Sequence, residues 1–151
     1  MKKIKAILTG TLLLGVAFLA TAQPTAEKTL VKSFNLKGKQ VVVLDLEGDI
    51  EVQEWNNDIM RIQMTIGLPN GSESMLKSLI RAGRYNLQSK VGDEDAYMVH
   101  APGLNREVKI RGQLLKEHVG YIVYAPSGVL VKQAGDASTS SVSDDGSPSS
   151  L

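Results

Sequence analysis

Val41-Val42-Val43-Leu44-Asp45-Leu46-Glu47-Gly48-Asp49-Ile50-Glu51-Val52-Gln53-Glu54-Trp55 is the stretch whose reading decides the fold. Residues 41–46 form one hydrophobic β-run and 50–55 a second, and Glu47-Gly48-Asp49 between them carries turn chemistry. Asn56-Asn57-Asp58 then leads into the cleanest strand of the chain. There Met60, Ile62, Met64 and Ile66 alternate with Arg61, Gln63 and Thr65, the period of a strand with one buried and one wet face. Runs of this length joined by short turns predict a meander.

Working outward, alternation dominates from Leu30 onward and is interrupted once. Asn70-Gly71-Ser72-Glu73 reads as a helix start, with Asn70 or Ser72 able to cap. Met75, Leu76, Leu79 and Ile80 fall on one stripe, and Gly83 stands where a helix would end. One short helix near residues 73–82 follows. Strands resume at Tyr85-Leu87-Ser89-Val91, Tyr97-Val99-Ala101 and Val108-Ile110, separated by the turn clusters Gly92-Asp93-Glu94-Asp95 and Pro102-Gly103-Leu104-Asn105. Val119 to Ala125 is more continuously apolar and predicts a central strand. Pro126-Ser127-Gly128 closes it before a last strand at Val129-Leu130-Val131. The fold class is therefore mainly β: an antiparallel β-sandwich or a short β-roll or solenoid, with one helix.

The ends of the chain differ in kind from this domain. Met1 to Lys5 carry three lysines, an apolar run covers Ile7 to Ala20, and Ala20-Thr21-Ala22 offers small residues where a signal peptidase reads. This predicts a signal peptide over 1–22, cleaved after Ala22, a β-rich domain over 23–133, and a periplasmic or secreted product. The apolar run is shorter than the roughly twenty residues of a membrane span, so no span is expected after cleavage. With no cysteine anywhere, the chain is not a lipoprotein, a disulfide scaffold or a thiolate metal site. From Ala134 onward Ser, Asp, Gly, Thr and Pro dominate, and a disordered Ser-rich tail over 134–151 is expected. Cleavage would remove three of the 17 basic residues and none of the 16 acidic ones, leaving 14 against 16. Without a clustered basic run, no nucleic-acid partner is expected.

Two segments resemble a known family. Val43 to Asn56, a hydrophobic strand into a Gly-Asp turn, an Ile-x-Val strand and a Trp, is similar to the opening of exported bacterial β-strand-repeat domains described as adhesin-like or as autotransporter adhesin heads. Tyr121 to Val131 resembles the strand, Pro-x-Gly turn and strand that recur there, and Thr21-Ala22-Gln23 resembles signal ends of Bacteroidetes-type bacteria. The resemblance implies an adhesin-like envelope role without catalytic residues. The ladder of repeats that the family would continue after Val131 is replaced by the Ser-rich tail, which favours a small closed sandwich or a truncated repeat domain.

The candidate chemistry is sparse. His100 and His118 are the only imidazoles, and a zinc site would need both to converge with a carboxylate. Asp93-Glu94-Asp95 is the densest acidic run, read as a solvated hairpin turn or an oxygen-rich calcium loop. Asp45, Glu47, Asp49 and Glu51 recur at every second residue: a cation- or glycan-binding stripe if the strand is straight, a wet face if Gly48 breaks the row. Ser127 lies in Pro-Ser-Gly and not in a G-x-S-x-G elbow, so it reads as a turn serine. No phosphate-binding glycine motif is present. Trp55 with Tyr85, Tyr97, Tyr121 and Tyr124 could form an aromatic platform for a sugar or a protein, or could pack inside. Asn70-Gly71-Ser72 matches a glycosylation acceptor pattern but reads as a cap. The expected function is non-enzymatic surface contact with an envelope or extracellular protein or glycan, with Trp55 in the contact patch and no cofactor. The alternatives are a calcium- or carboxylate-dependent envelope hydrolase and a secreted structural subunit that assembles through strand edges.

Overall fold

The computed structural model describes residues 25–92 and 95–135. The signal peptide expected over 1–22, Asp93 and Glu94 of the acidic run, and the tail beyond Gly135 lie outside the described residues. The elements are β1 (Ala26–Asn35), β2 (Val41–Asp45), β3 (Asp49–Trp55), β4 (Ile59–Leu68), α1 (Glu73–Arg81), β5 (Gln88–Val91), β6 (Tyr97–His100), β7 (Lys109–Ile110), β8 (Gln113–Leu114), β9 (His118–Pro126) and β10 (Leu130–Gln133). The protein is mainly β with one short helix, as its alternation implies.

Two four-stranded sheets share one core. The first has the order β1-β4-β9-β3 and the second β10-β2-β6-β5, while β7 and β8 form a separate small hairpin. Side chains from the inner faces of both sheets, among them Ile62, Met64 and Val123 from the first and Val42, Leu44 and Val99 from the second, belong to a single buried cluster. That is the arrangement of a sandwich. β4 carries the centre of it: Met60, Ile62, Met64, Ile66 and Leu68 are all at or below 1% exposure. Each such side chain contributes about 1.5–3 kcal/mol relative to an exposed one. β9 is central as its composition implies, antiparallel to β4 on one side and parallel to β3 on the other.

The expected meander does not form. β2 belongs to the second sheet and β3 to the first, and β3 and β4 are not neighbours because β9 lies between them. The Asn56-Asn57-Asp58 connection therefore arches over a strand, about 9.5 Å across at the usual strand spacing. The indole N–H of Trp55 donates to the Ile59 carbonyl at 2.9 Å, and the Ile59 N–H donates to Asn57 Oδ1 at 3.0 Å, closing the arch. Both sheets are mixed: β10–β2, β2–β6 and β3–β9 are parallel, while β1–β4, β4–β9 and β5–β6 are antiparallel. Parallel neighbours follow because the chain leaves one sheet and returns to it in the same direction.

Gly48 makes the change of sheet possible. Its φ is +128°, and a Cβ there would lie 2.2 Å from the carbonyl oxygen of Val119. Only glycine lets the corner pass this close to the start of β9.

The helix matches its sequence signals closely. Ser72 Oγ accepts from the Met75 N–H at 3.1 Å, so Ser72 is the cap, whereas Asn70, with φ +61°, belongs to the preceding Leu68-Pro69-Asn70-Gly71 turn. At the other end the N–H of Gly83 reaches Ile80 O and that of Arg84 reaches Leu79 O, a Schellman ending. Leu76 is buried, with Met75, Leu79 and Ile80 packed against the core, and the helix rests on β1.

Three segments depart from the strands read in the sequence. β1 starts at Ala26, before the alternation is evident, because its inner face mixes Ala26, Leu30 and Phe34 with Lys28 and Lys32. The Lys32 ammonium lies 5.5 Å from the Phe34 ring centre and donates to Leu87 O at 2.5 Å, which fastens β1 to the segment before β5. Of the run from Tyr85 to Val91 only Gln88–Val91 is strand, since Arg84 still belongs to the helix ending. The run around Val108 and Ile110 is a two-residue strand that turns back at once at Arg111-Gly112, where φ is +52° and +79°. Positive φ at both central residues is the signature of a type I′ hairpin turn.

Candidate functional site

On the outward face of the first sheet, three adjacent strands bring three side chains together. Trp55 on β3 and Tyr124 on β9 have ring centres 5.4 Å apart at 36°, and the Arg61 guanidinium of β4 lies 4.9 Å from the Trp55 ring centre. Register sets the arrangement, because Arg61 and Gln53 are the two cross-strand partners of Tyr124. Gln53 in turn donates to Glu51 at 2.7 Å. The result is an aromatic shelf with amide, carboxylate and guanidinium groups beside it, half-buried at both rings. Aromatic pairing contributes about 0.5–1.5 kcal/mol and an exposed cation–π contact about 0.5–1 kcal/mol, so the shelf is preorganised. Trp55 thus has two attachments, the indole N–H in the arch and the ring in the shelf.

The other aromatic residues point elsewhere. Tyr97 is buried edge-on against Phe34 at 6.3 Å and donates to Ser89 Oγ at 2.9 Å. Tyr85 and Tyr121 are also buried. The platform expected from the five aromatics is therefore a pair.

Sequence reading missed the most polar construction in the interior. Arg84, just after the helix, meets Glu117, just before β9, with side chains only 8% and 14% exposed. Arg84 Nε donates to both carboxylate oxygens at 3.1 Å, and Nη2 donates to Oε1. Its Nη1 donates to the carbonyls of Gly103 and Arg106 at 3.0 and 2.9 Å. The Tyr85 hydroxyl donates to Glu117 Oε2 at 2.8 Å. The bond to Glu117 raises the pKa of Arg84 further, and burial followed by the same carboxylate raises that of Tyr85. Gly103 packs so closely on Arg84 that a Cβ would lie 2.3 Å from the Arg84 carbonyl oxygen. This network clamps the 101–108 loop to the body of the domain. Its partners are far apart in sequence, and no local spacing announces them.

Tyr121 borders the same region. Its hydroxyl is buried without a hydrogen-bond partner among the described residues, and burial, then Glu117 and Glu47, push its pKa up to about 12. Gly48 and Leu104 line a cleft of about 320 Å³ there with Glu47, Asp49, Glu117 and His118.

The remaining candidates are dispersed. His100 is on β6 of the second sheet and His118 starts β9 of the first, each on an outward-facing position, so the two imidazoles do not converge. Among the described residues no three His, Asp or Glu side chains come together as a metal site would require. Asp95 forms an ion pair with Lys39. The acidic row is broken at Gly48: Asp45 ends β2 in one sheet, while Asp49 and Glu51 lie on β3 in the other. Ser127 is exposed in the turn closed by the Val129 N–H on Pro126 O at 3.2 Å. Among the described residues no helix is long and apolar enough to cross a membrane.

A scan against protein-family models and searches of curated proteins and of solved structures return no match.

Proposed function

We propose that the protein is an exported, non-enzymatic, adhesin-like binding domain that works at the cell envelope by surface contact, through the shelf of Trp55 and Tyr124. The observation that supports this reading is the shelf itself, an aromatic pair fixed by three neighbouring strands on an outward sheet face. A rigid ring pair offers contact area at small entropic cost, and the flanking Gln53, Glu51 and Arg61 supply hydrogen bonds to a sugar or peptide laid across it. Trp55 is the only tryptophan in the chain, so its emission reports on the patch alone. Titration with envelope glycan fragments and with fractionated envelope proteins should shift that emission saturably for one of them. Tyr124→Ala should weaken the same binding at least tenfold. Unchanged emission throughout the series would refute the patch.

A second reading, a structural subunit that assembles by strand addition, is favoured by the edges of the first sheet. Val52 on edge strand β3 is 45% exposed although it lies on the inner face. Exposed edges are templates for pairing. Sedimentation over a hundredfold concentration range separates the two readings, since only assembly makes size depend on concentration.

A further inference from the structure

A groove of about 770 Å³ runs between the start of α1 and the β7–β8 hairpin, within the range of small-molecule sites, about 300–1,000 Å³. Its apolar lining comes from both sides: Met75 and the fully buried Leu68 from the β4–α1 segment, Ile110, Leu114 and Leu115 from the hairpin and the residue after it. Leu114 stands 56% exposed on its two-residue strand. The charged residues lining the groove are Arg111 and Lys116, both cations. Glu73, at the adjoining helix start, is turned to an ion pair with Lys77 at 2.8 Å. The groove thus joins an apolar wall to a purely positive rim.

We infer that this groove binds a medium-chain alkyl carboxylate, the free fatty acid, with its chain along Met75, Ile110, Leu114 and Leu115 and its carboxylate on Arg111 and Lys116. An apolar chain removes the exposed leucine from water, and the guanidinium pairs with a carboxylate in fork geometry. A neutral amphiphile would forgo that pair, and a cationic one would meet two like charges. The inference goes beyond the shelf at Trp55. Trp55 is bound to Ile59 at one end of β4, and Leu68 is the other end of that strand.

The test is calorimetric titration of the chain with decanoate below its micelle concentration, beside decyltrimethylammonium as the cationic control. Arg111→Asn combined with Lys116→Gln removes both charges while Asn-Gly keeps the type I′ turn, and Leu114→Asp spoils the exposed apolar wall without touching the core. Decanoate should bind once per chain, at least tenfold tighter than the ammonium amphiphile. Both variants should weaken it tenfold or more with unchanged melting temperature, and Trp55 emission should not respond. Absence of decanoate binding, equal binding of the two amphiphiles, or full affinity in the charge-removed variant would overturn the inference. So would co-sedimentation with phosphatidylglycerol vesicles in place of decanoate binding, which would make the groove a membrane contact.

Discussion

Glu117→Gln is the sharpest test of what holds the domain together. The side chain keeps its shape, but a neutral amide replaces the carboxylate that faces Arg84 Nε, Arg84 Nη2 and the Tyr85 hydroxyl. Arginine cannot shed its proton, so the variant leaves a guanidinium at 8% exposure without a countercharge. Removing one partner of a buried pair costs about 3–5 kcal/mol, against a total stability of about 5–15 kcal/mol for a domain this size. At about 4 °C per kcal/mol the melting temperature should fall by about 12–20 °C. A pair on the surface would cost about 0–1 kcal/mol instead.

Arg84→Met with Glu117→Leu removes both charges together, so it should be less damaging than Glu117→Gln alone, although Gly103 O, Arg106 O and the Tyr85 hydroxyl lose their partner. Hydrogen exchange should localise the damage to the clamped loop, with the Leu104 N–H, which donates to Ala101 O at 3.0 Å, losing protection before the β4 amides do. Urea unfolding of the three proteins supplies the free energies. A loss below about 1 kcal/mol in Glu117→Gln, or a double variant more destabilised than the single, would show that the pair is not the clamp described.

Gly48→Ala should lose about 3 kcal/mol or more in urea unfolding, because a Cβ would enter the Val119 carbonyl at a backbone with φ +128°; wild-type stability would mean that the corner relaxes freely. Tyr121→Phe should gain about 1 kcal/mol, since it removes a buried hydroxyl without a partner; a comparable loss would show that the hydroxyl is satisfied. The raised pKa of Tyr121, about 12 against about 10 in an unfolded chain, means its contribution is complete below about pH 10 and is lost as pH rises through about 12. Stability should therefore fall by up to about 1.4 kcal/mol per pH unit in that window, and Tyr121→Phe should make the fall shallower in alkaline denaturation monitored by circular dichroism.

What the sequence announces is local, and what it conceals is pairing. The alternation around Met60 to Ile66 places β4, and the stripe with Ser72 and Gly83 places α1, because each pattern depends only on near neighbours in the chain. The partner of a strand is set by contacts between distant segments. Gly48 illustrates the limit: turn chemistry is visible there, but its task is to let the backbone cross between sheets beside Val119. The site follows the same division. Trp55 and Tyr124 stand out as aromatic residues, yet so do Tyr85, Tyr97 and Tyr121, and only the folded chain shows that these three are buried. Arg84 and Glu117, 33 residues apart, each look like an ordinary charge on a wet face until the fold closes over them.

The edges of the first sheet bear on which of the two functional readings the molecule obeys. β1 and β3 are its outer strands, and their inner faces carry opposite signs: Lys28 and Lys32 on β1, Glu54 on β3, with Asp49 and Glu51 adding negative charge to the outer face of β3. Inward charges blunt an edge against pairing, and two identical edges of this sheet repel one another. An edge meeting its unlike counterpart does not. Strand addition in this protein would therefore be head-to-tail, β1 of one copy on β3 of the next, which leaves an unpaired edge at each end and grows unless the rotation between copies closes a ring. Such growth depends on exposed charges and weakens with salt, whereas recognition across the Trp55 shelf rests on ring contact that salt screens little. Ionic strength thus separates the two readings even at one protein concentration.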